Sequence, residues 1–269
     1  MRKALLLIVV LLGTAGSVFS VEKMTVGALI DSVLAARQRQ LDAVDDMTFD
    51  AVLYERRTDK EGNITEEKRY DKKIYVKKID DTFHIHQKYV AYYLDGAKQA
   101  HEELVAQVNK KQEDRAKRGG RDFTYDLTIP LQMLYTGMYD VDYEGMTENK
   151  IDGYICHMLR AEARENNDTL INCLYYVDTA SFNLVKVDFS PAKLTNKLMF
   201  KLKELDMTIH YKPYDTDIWI PDHFELQGRG KAAIFIGVYF QSEETYTNPV
   251  INSGLDEALF KERISVEEI

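Results

Sequence analysis

Met47-Thr48-Phe49-Asp50-Ala51-Val52-Leu53-Tyr54 places Met47, Phe49, Ala51 and Leu53 at every second position, the period of a strand with one buried face. Upstream the period is different. From Thr25, a plausible N-cap, apolar residues recur at Val26, Leu29, Ile30, Val33, Leu34, Leu41 and Val44, the 3.6-residue spacing of a helix with one buried stripe. Downstream, the segment Asp59 to Asn63 offers Gly62 and Asn63 for a hairpin turn. Strands are predicted at 64–70, 72–79, 82–87 and 88–94, and Asp95-Gly96 closes them as a tight turn.

Residues 97–118 are rich in Ala, Lys, Glu, Gln and Arg, which predicts a polar, largely exposed helix ended by Gly119-Gly120. A short helix is predicted from Pro130, where Leu131, Met133, Leu134, Tyr135 and Met138 form an apolar patch. Further strands are predicted near 141–148, 153–164, 169–178, 182–189, 198–211, 217–228 and 231–243, followed by a helix-like piece from Leu255 to Glu262. This order lacks the strand–helix alternation of a parallel sheet. The expected class is mainly β (α+β), a strongly curved antiparallel sheet in one domain over residues 21–269.

Of 269 residues, 45% are apolar, enough to bury a core and to exclude a disordered chain. The net charge of −9 gives no general attraction to nucleic acid or to an anionic membrane. Arg2 and Lys3 precede an apolar run from Ala4 to Leu12, and small residues then lead to Val18, Phe19 and Ser20. That is the order of a secretory signal cut after Ser20. The run is too short for a bilayer core of about 30 Å, so an exported, soluble protein is expected.

Only Cys156 and Cys173 occur. A turn centred on Asn166-Asn167 would set Cys156 opposite Val177 and Cys173 opposite Arg160, with both sulfurs on one face but roughly 13 Å apart along the strand. A disulfide needs Cα atoms within about 7 Å, hence a bulge or another turn; otherwise both are buried free thiols.

No nucleophile elbow, zinc-protease or dinucleotide motif is present. Gly228-Arg229-Gly230-Lys231 lacks the upstream glycine and the following Ser or Thr of a phosphate loop. His84 and His86 share a strand face without a third ligand nearby and read as an ordinary exposed pair. Asp45-Asp46 and Asp80-Asp81 flank strands, and the N-x-T triplets at Asn63 and Asn167 fall in turns. No cofactor, metal or catalytic residue is assigned.

Ile74-Tyr75-Val76-Lys77-Lys78, followed by Phe83, Ile85 and Leu94-Asp95-Gly96, resembles the early strands of the periplasmic lipoprotein carrier LolA and its relatives. The surrounding order is similar too: an N-terminal helix, a Pro-initiated apolar helix at Pro130 to Leu134, and an aspartate before a turn at Tyr176-Val177-Asp178. The resemblance implies an incomplete, curved antiparallel barrel of LolA/LolB type, its concave face covered by helices over an apolar cavity for acyl chains. Lys78 stands where that family has an arginine tying the covering helices to the barrel, and Ile79 replaces the proline. Lysine keeps the charge but lacks the five-donor fork, so Lys78 is a lid-latch candidate of altered geometry.

A curved sheet lines its interior with alternate residues. Leu29, Val33, Phe49, Leu53, Leu131, Met133, Leu134 and Met138 are the candidate lining or lid residues. The function implied by the resemblance is a non-enzymatic periplasmic carrier of lipoprotein or lipid acyl chains for outer-membrane sorting, passing cargo between membrane donor and acceptor proteins. Each buried methylene contributes about 0.8 kcal/mol to such binding. Relatives of the fold also act as envelope-stress sensors that bind a partner protein, and this regulatory module is the alternative. A hydrolase would need His157, His210 or His223 gathered with carboxylates in one cleft.

Overall fold

The computed structural model describes residues 24–80, 82–117, 137–167, 170–194, 196–197, 200–215, 218–232 and 236–267. The leader over residues 1–20 and the expected helix from Pro130, with Leu131, Met133 and Leu134, lie outside them. The first helix, α1, runs Val26–Ala43, and its N-cap is Thr25, whose hydroxyl accepts from the Ala28 amide at 3.2 Å. It buries Leu29, Ile30, Val33, Ala36 and Gln40, one stripe of the helix.

The strands are β1 Asp46–Thr58, β2 Ile64–Ile79, β3 Thr82–Leu94, β4 Ala97–Lys98, β5 Tyr139–Met146, β6 Cys156–Ala163 and β7 Ile171–Asp178. They continue as β8 Leu184–Pro191, β9 Asn196–Lys197, β10 Phe200–Pro213, β11 Trp219–Ala232, β12 Ile236–Ile251 and β13 Ile264–Val266. Among the described residues they form one sheet in the order β13-β3-β2-β1-β12-β11-β10-β8-β7-β6-β5, with β4 on β3 and β9 on β10. Pairing is antiparallel except between β13 and β3. The sheet is not closed, since β13 and β5 end it on opposite sides.

One line of register partners shows how the core face is built. Tyr70 lies opposite Leu53, Leu53 opposite Glu244, Glu244 opposite Phe224, and the line continues through Ile209, Val187 and Tyr175 to Leu159. Every one of these side chains is buried. The face divides into two apolar clusters. The larger joins Leu29, Ile30 and Val33 of α1 to Phe49, Ile74, Tyr175, Val187 and Phe224 of the strands. The smaller joins Leu53, Tyr70, Tyr89 and Tyr92 to Ile264 and to Leu104 and Val108 of the second helix, α2, His101–Lys117.

At the border of the two clusters lies an ion pair. Lys72, the register partner of Ala51, meets Glu244 at 2.7 Å, with side chains 1% and 0% exposed. Its ammonium also donates to Gln87 Oε1 at 3.0 Å and stands 5.5 Å from the Tyr89 ring centre.

Several sequence expectations need correction. The predicted breaks at Asp71 and near Gln87 do not exist: β2 and β3 are continuous, and the register between them shifts at Asp71/Lys72, where Val90 is an extra residue of β3. Residues 97–118 begin as the strand β4, and the helix that follows is largely exposed, as expected, but docks through Leu104 and Val108, which are 3% and 1% exposed. Gly228-Arg229-Gly230-Lys231 lies inside β11, where a Cβ on Gly228 would collide with the Phe240 ring. Cys156 pairs with Asp178 and Cys173 with Ala161, one residue out of the expected register. A slip of one exchanges the faces of a strand, so His157 takes the alternation that was expected of Cys156. Both cysteines are free and buried. Burial pushes each thiol up to about 11.

The start of β1 is tied to the end of β12 by one carboxylate. Asp46 accepts from the Ser253 amide and hydroxyl at 2.7 and 2.9 Å, the Gly254 amide at 2.9 Å and the Leu255 amide at 3.0 Å. Burial pushes this carboxyl up, but the hydrogen bonds from Leu255, Ser253 and Gly254 outweigh it and hold it below 3.8. Its contribution is therefore complete above the unfolded value and is lost as pH falls through the lower folded value. Asp46→Ala is expected to cost about 2 kcal/mol near neutral pH, because it leaves buried donors without an acceptor. Denaturant titrations of both proteins should show the gap narrowing below about pH 4; a gap that stays constant refutes this role.

Candidate functional site

α1 packs against the core face of the sheet. Leu29, Val33 and Phe49 are 0%, 2% and 3% exposed and belong to the larger cluster. Leu53 belongs to the smaller one, under α2. Met138 stands in the turn before β5 and is 39% exposed. Beneath α1, Val33, Arg37, Gln40, Phe182, Tyr211 and Trp219 help to line a gap of about 20 Å³. That is room for about one water.

Several polar contacts fasten the C-terminal end of α1. The Gln40 amide donates to the Trp219 carbonyl. Lys78 Nζ donates to the Leu41 carbonyl at 3.0 Å and lies 3.9 Å from Asp45 Oδ1. Asn252 donates from Nδ2 to the Ala43 carbonyl at 2.9 Å and accepts from the Asp45 amide at 2.7 Å. Lys78 thus caps an orphan carbonyl in the last turn of the helix, where a cation is also favoured by the dipole.

A second space adjoins the first. A cleft of about 470 Å³ is lined by Asp152, Tyr154, His210, Tyr211, Lys212, Pro213, Asp222, His223 and Glu225, a volume in the range of small-molecule sites. His210 and His223 are register partners on β10 and β11, with ring centres 6.2 Å apart. His210 Nδ1 meets Asp152 Oδ2 at 2.6 Å, His223 Nε2 meets Glu225 Oε1 at 2.9 Å, and Lys212 pairs with Asp222. The register shift beside His210 inserts Asp222 as an extra residue of β11 and re-aims the side chains around it.

Two of the three histidines whose gathering would favour chemistry therefore do meet carboxylates. His157 does not join them. Its ring stacks on Phe182 and its Nδ1 lies 3.0 Å from the Tyr143 hydroxyl, while burial pushes its pKa down. The described lining of the cleft holds no serine, threonine or cysteine to act as nucleophile. Among the described residues, no three His, Cys, Asp or Glu side chains converge as a metal site requires.

His84 and His86 are not a matched exposed pair. His86 is 3% exposed, with Nδ1 2.6 Å from the Glu262 carbonyl and Nε2 2.9 Å from Ser265 Oγ. It fastens the segment leading into β13 to the edge of β3.

No family model matches this chain, and no curated protein does. Several solved structures are similar to it, three of them as follows. A DUF1329 family protein from Desulfovibrio piger ATCC 29098 is 14% identical over 87% of this chain and 96% of its own, with a TM-score of 0.44. A putative outer membrane lipoprotein-sorting protein domain from Vibrio parahaemolyticus is 14% identical over 86% and 95%, with a TM-score of 0.45. A LolA superfamily protein from Nitrosomonas europaea is 11% identical over 86% and 97%, with a TM-score of 0.34. At these values the likeness says nothing of ligand or partner. No described helix is long and apolar enough to cross a membrane.

Proposed function

We propose that this protein is an exported, periplasmic carrier that takes acyl chains of lipids or lipoproteins beneath α1 and delivers them for outer-membrane sorting. The observation that carries this reading is that α1 packs an apolar stripe on an apolar sheet face. The stripe of Leu29, Ile30 and Val33 belongs to the larger apolar cluster, and polar contacts at Gln40, Leu41 and Ala43 anchor the C-terminal end of the helix. The gap of about 20 Å³ lined by the described residues beneath α1 admits no hydrocarbon chain, so entry at this point requires α1 to move off the sheet. Apolar contact is non-directional, and an acyl chain can replace the helix stripe against the same face at little net cost.

The experiment is titration of the full chain with dansylated undecanoic acid, together with mass spectrometry of lipid extracted from gently purified protein. Saturable fluorescence enhancement and a co-purified lipid are expected. Lys78→Met removes one tie of α1 and is expected to speed uptake by about fivefold, the equivalent of one net hydrogen bond. If the parent and Lys78→Met both fail to bind the probe and carry no lipid, carriage is wrong. Recovery of a single membrane protein at fixed stoichiometry would then favour the regulatory module.

A further inference from the structure

The polar cleft and the gap beneath α1 share a wall. Tyr211 lines both, and Trp219 of the gap packs against Tyr154 of the cleft with ring centres 5.1 Å apart. A molecule with its chain under α1 and its polar end past Tyr211 would occupy the two together. We propose that the cleft bounded by Asp152, His210, Lys212, Asp222, His223 and Glu225 holds the zwitterionic, amine-bearing headgroup of a lipid. This rests on the acyl-binding reading above and adds to it the headgroup class.

Charge decides the class. Three carboxylates face one ammonium in the cleft, so with neutral imidazoles the lining carries an excess of negative charge. A phosphate alone would meet carboxylates on several sides. An ammonium finds acceptors there, because each carboxylate offers more lone-pair sites than the single named contact uses, and the Tyr154 ring can provide a π face. The phosphate of a zwitterion has its own donor in Lys212, while the second ring nitrogen of each neutral imidazole, its N–H being given to a carboxylate, is a further acceptor for the ammonium. Both imidazoles are oriented by a carboxylate before any ligand arrives, which lowers the ordering cost of binding. A head that is anionic throughout, such as phosphoglycerol, satisfies only the cationic half of this lining.

The test compares two lysolipids with the same oleoyl chain, lysophosphatidylethanolamine and lysophosphatidylglycerol, as competitors of dansylated undecanoic acid on the full chain. The ethanolamine lipid is expected to bind about tenfold tighter, the worth of a charge-assisted hydrogen bond. Asp222→Asn together with Glu225→Gln should bring the two within about twofold. Glu204→Gln removes the partner of Arg229 on the same strand pair outside the cleft lining and should leave the ratio unchanged. Equal affinity of the parent chain for both lysolipids overturns the headgroup proposal and leaves the acyl reading intact. If the acyl probe itself does not bind, the acyl reading fails. Soluble glycerophosphoethanolamine then decides the cleft: shifted His210 and His223 ring signals in NMR support the site, and unshifted signals overturn it.

Discussion

Glu244→Gln, or Lys72→Met, is expected to destabilise the fold by about 3–5 kcal/mol, because either change leaves the other member of the pair buried and uncompensated. Both side chains are at most 1% exposed, and Lys72 draws further support from Gln87 and the Tyr89 ring. Desolvating two charges offsets most of their attraction, so the pair as a whole contributes far less than its rupture costs. Lys72→Met combined with Glu244→Leu should accordingly recover most of the loss. Urea unfolding of the three variants checks this through their midpoints at constant slope. Single variants within 1 kcal/mol of the parent would show that water reaches the pair.

Phe49→Ala is the second large effect. The ring is 3% exposed, packs edge-on against Tyr246 at 6.0 Å and belongs to the cluster that includes α1. Its removal is expected to cost about 3–5 kcal/mol in stability, transfer and cavity terms together. It also enlarges the space that the acyl probe would enter, so probe affinity should rise even as stability falls. Leu53→Ala should cost about 2–5 kcal/mol and leave probe binding unchanged, since Leu53 packs with α2. Equal effects of both substitutions on the probe would mean that the two clusters act as one compartment.

These expectations divide along a line that also separates what the sequence discloses from what it conceals. The stripe of α1, its Thr25 cap, the alternation at Met47 to Leu53 and the turns at Gly62 and at Asp95-Gly96 are local, and each is legible because it depends on neighbours within four residues. The split of β2 fails for a specific reason: Lys72 sits on the core face between Tyr70 and Ile74, and a lysine there interrupts the apolar alternation. Its partner Glu244 comes from β12, which the one-dimensional pattern does not bring near. α2 presents Leu104 and Val108, four apart, an apolar seam too narrow to stand out among its charges. His86 looks exposed until β13 arrives beside β3. The cleft is the least legible feature, because His210 and His223 become neighbours only through a register that shifts at Asp222.

The seam between β1 and β12 carries a kinetic meaning. β1 with β2 and β3 is a local meander, and β5 with β6, β7 and β8 is another, whereas Asp45 and Asn252, joined at that seam, are 207 residues apart in the chain. The entropy of closing so long a loop must be lost before pairing rewards it, which makes this joint the slow step of assembly. Until it forms, the inner edge of β1 stands bare, an open template for another chain. A holdase or high dilution suits such a nascent polypeptide better than spontaneous renaturation at high concentration.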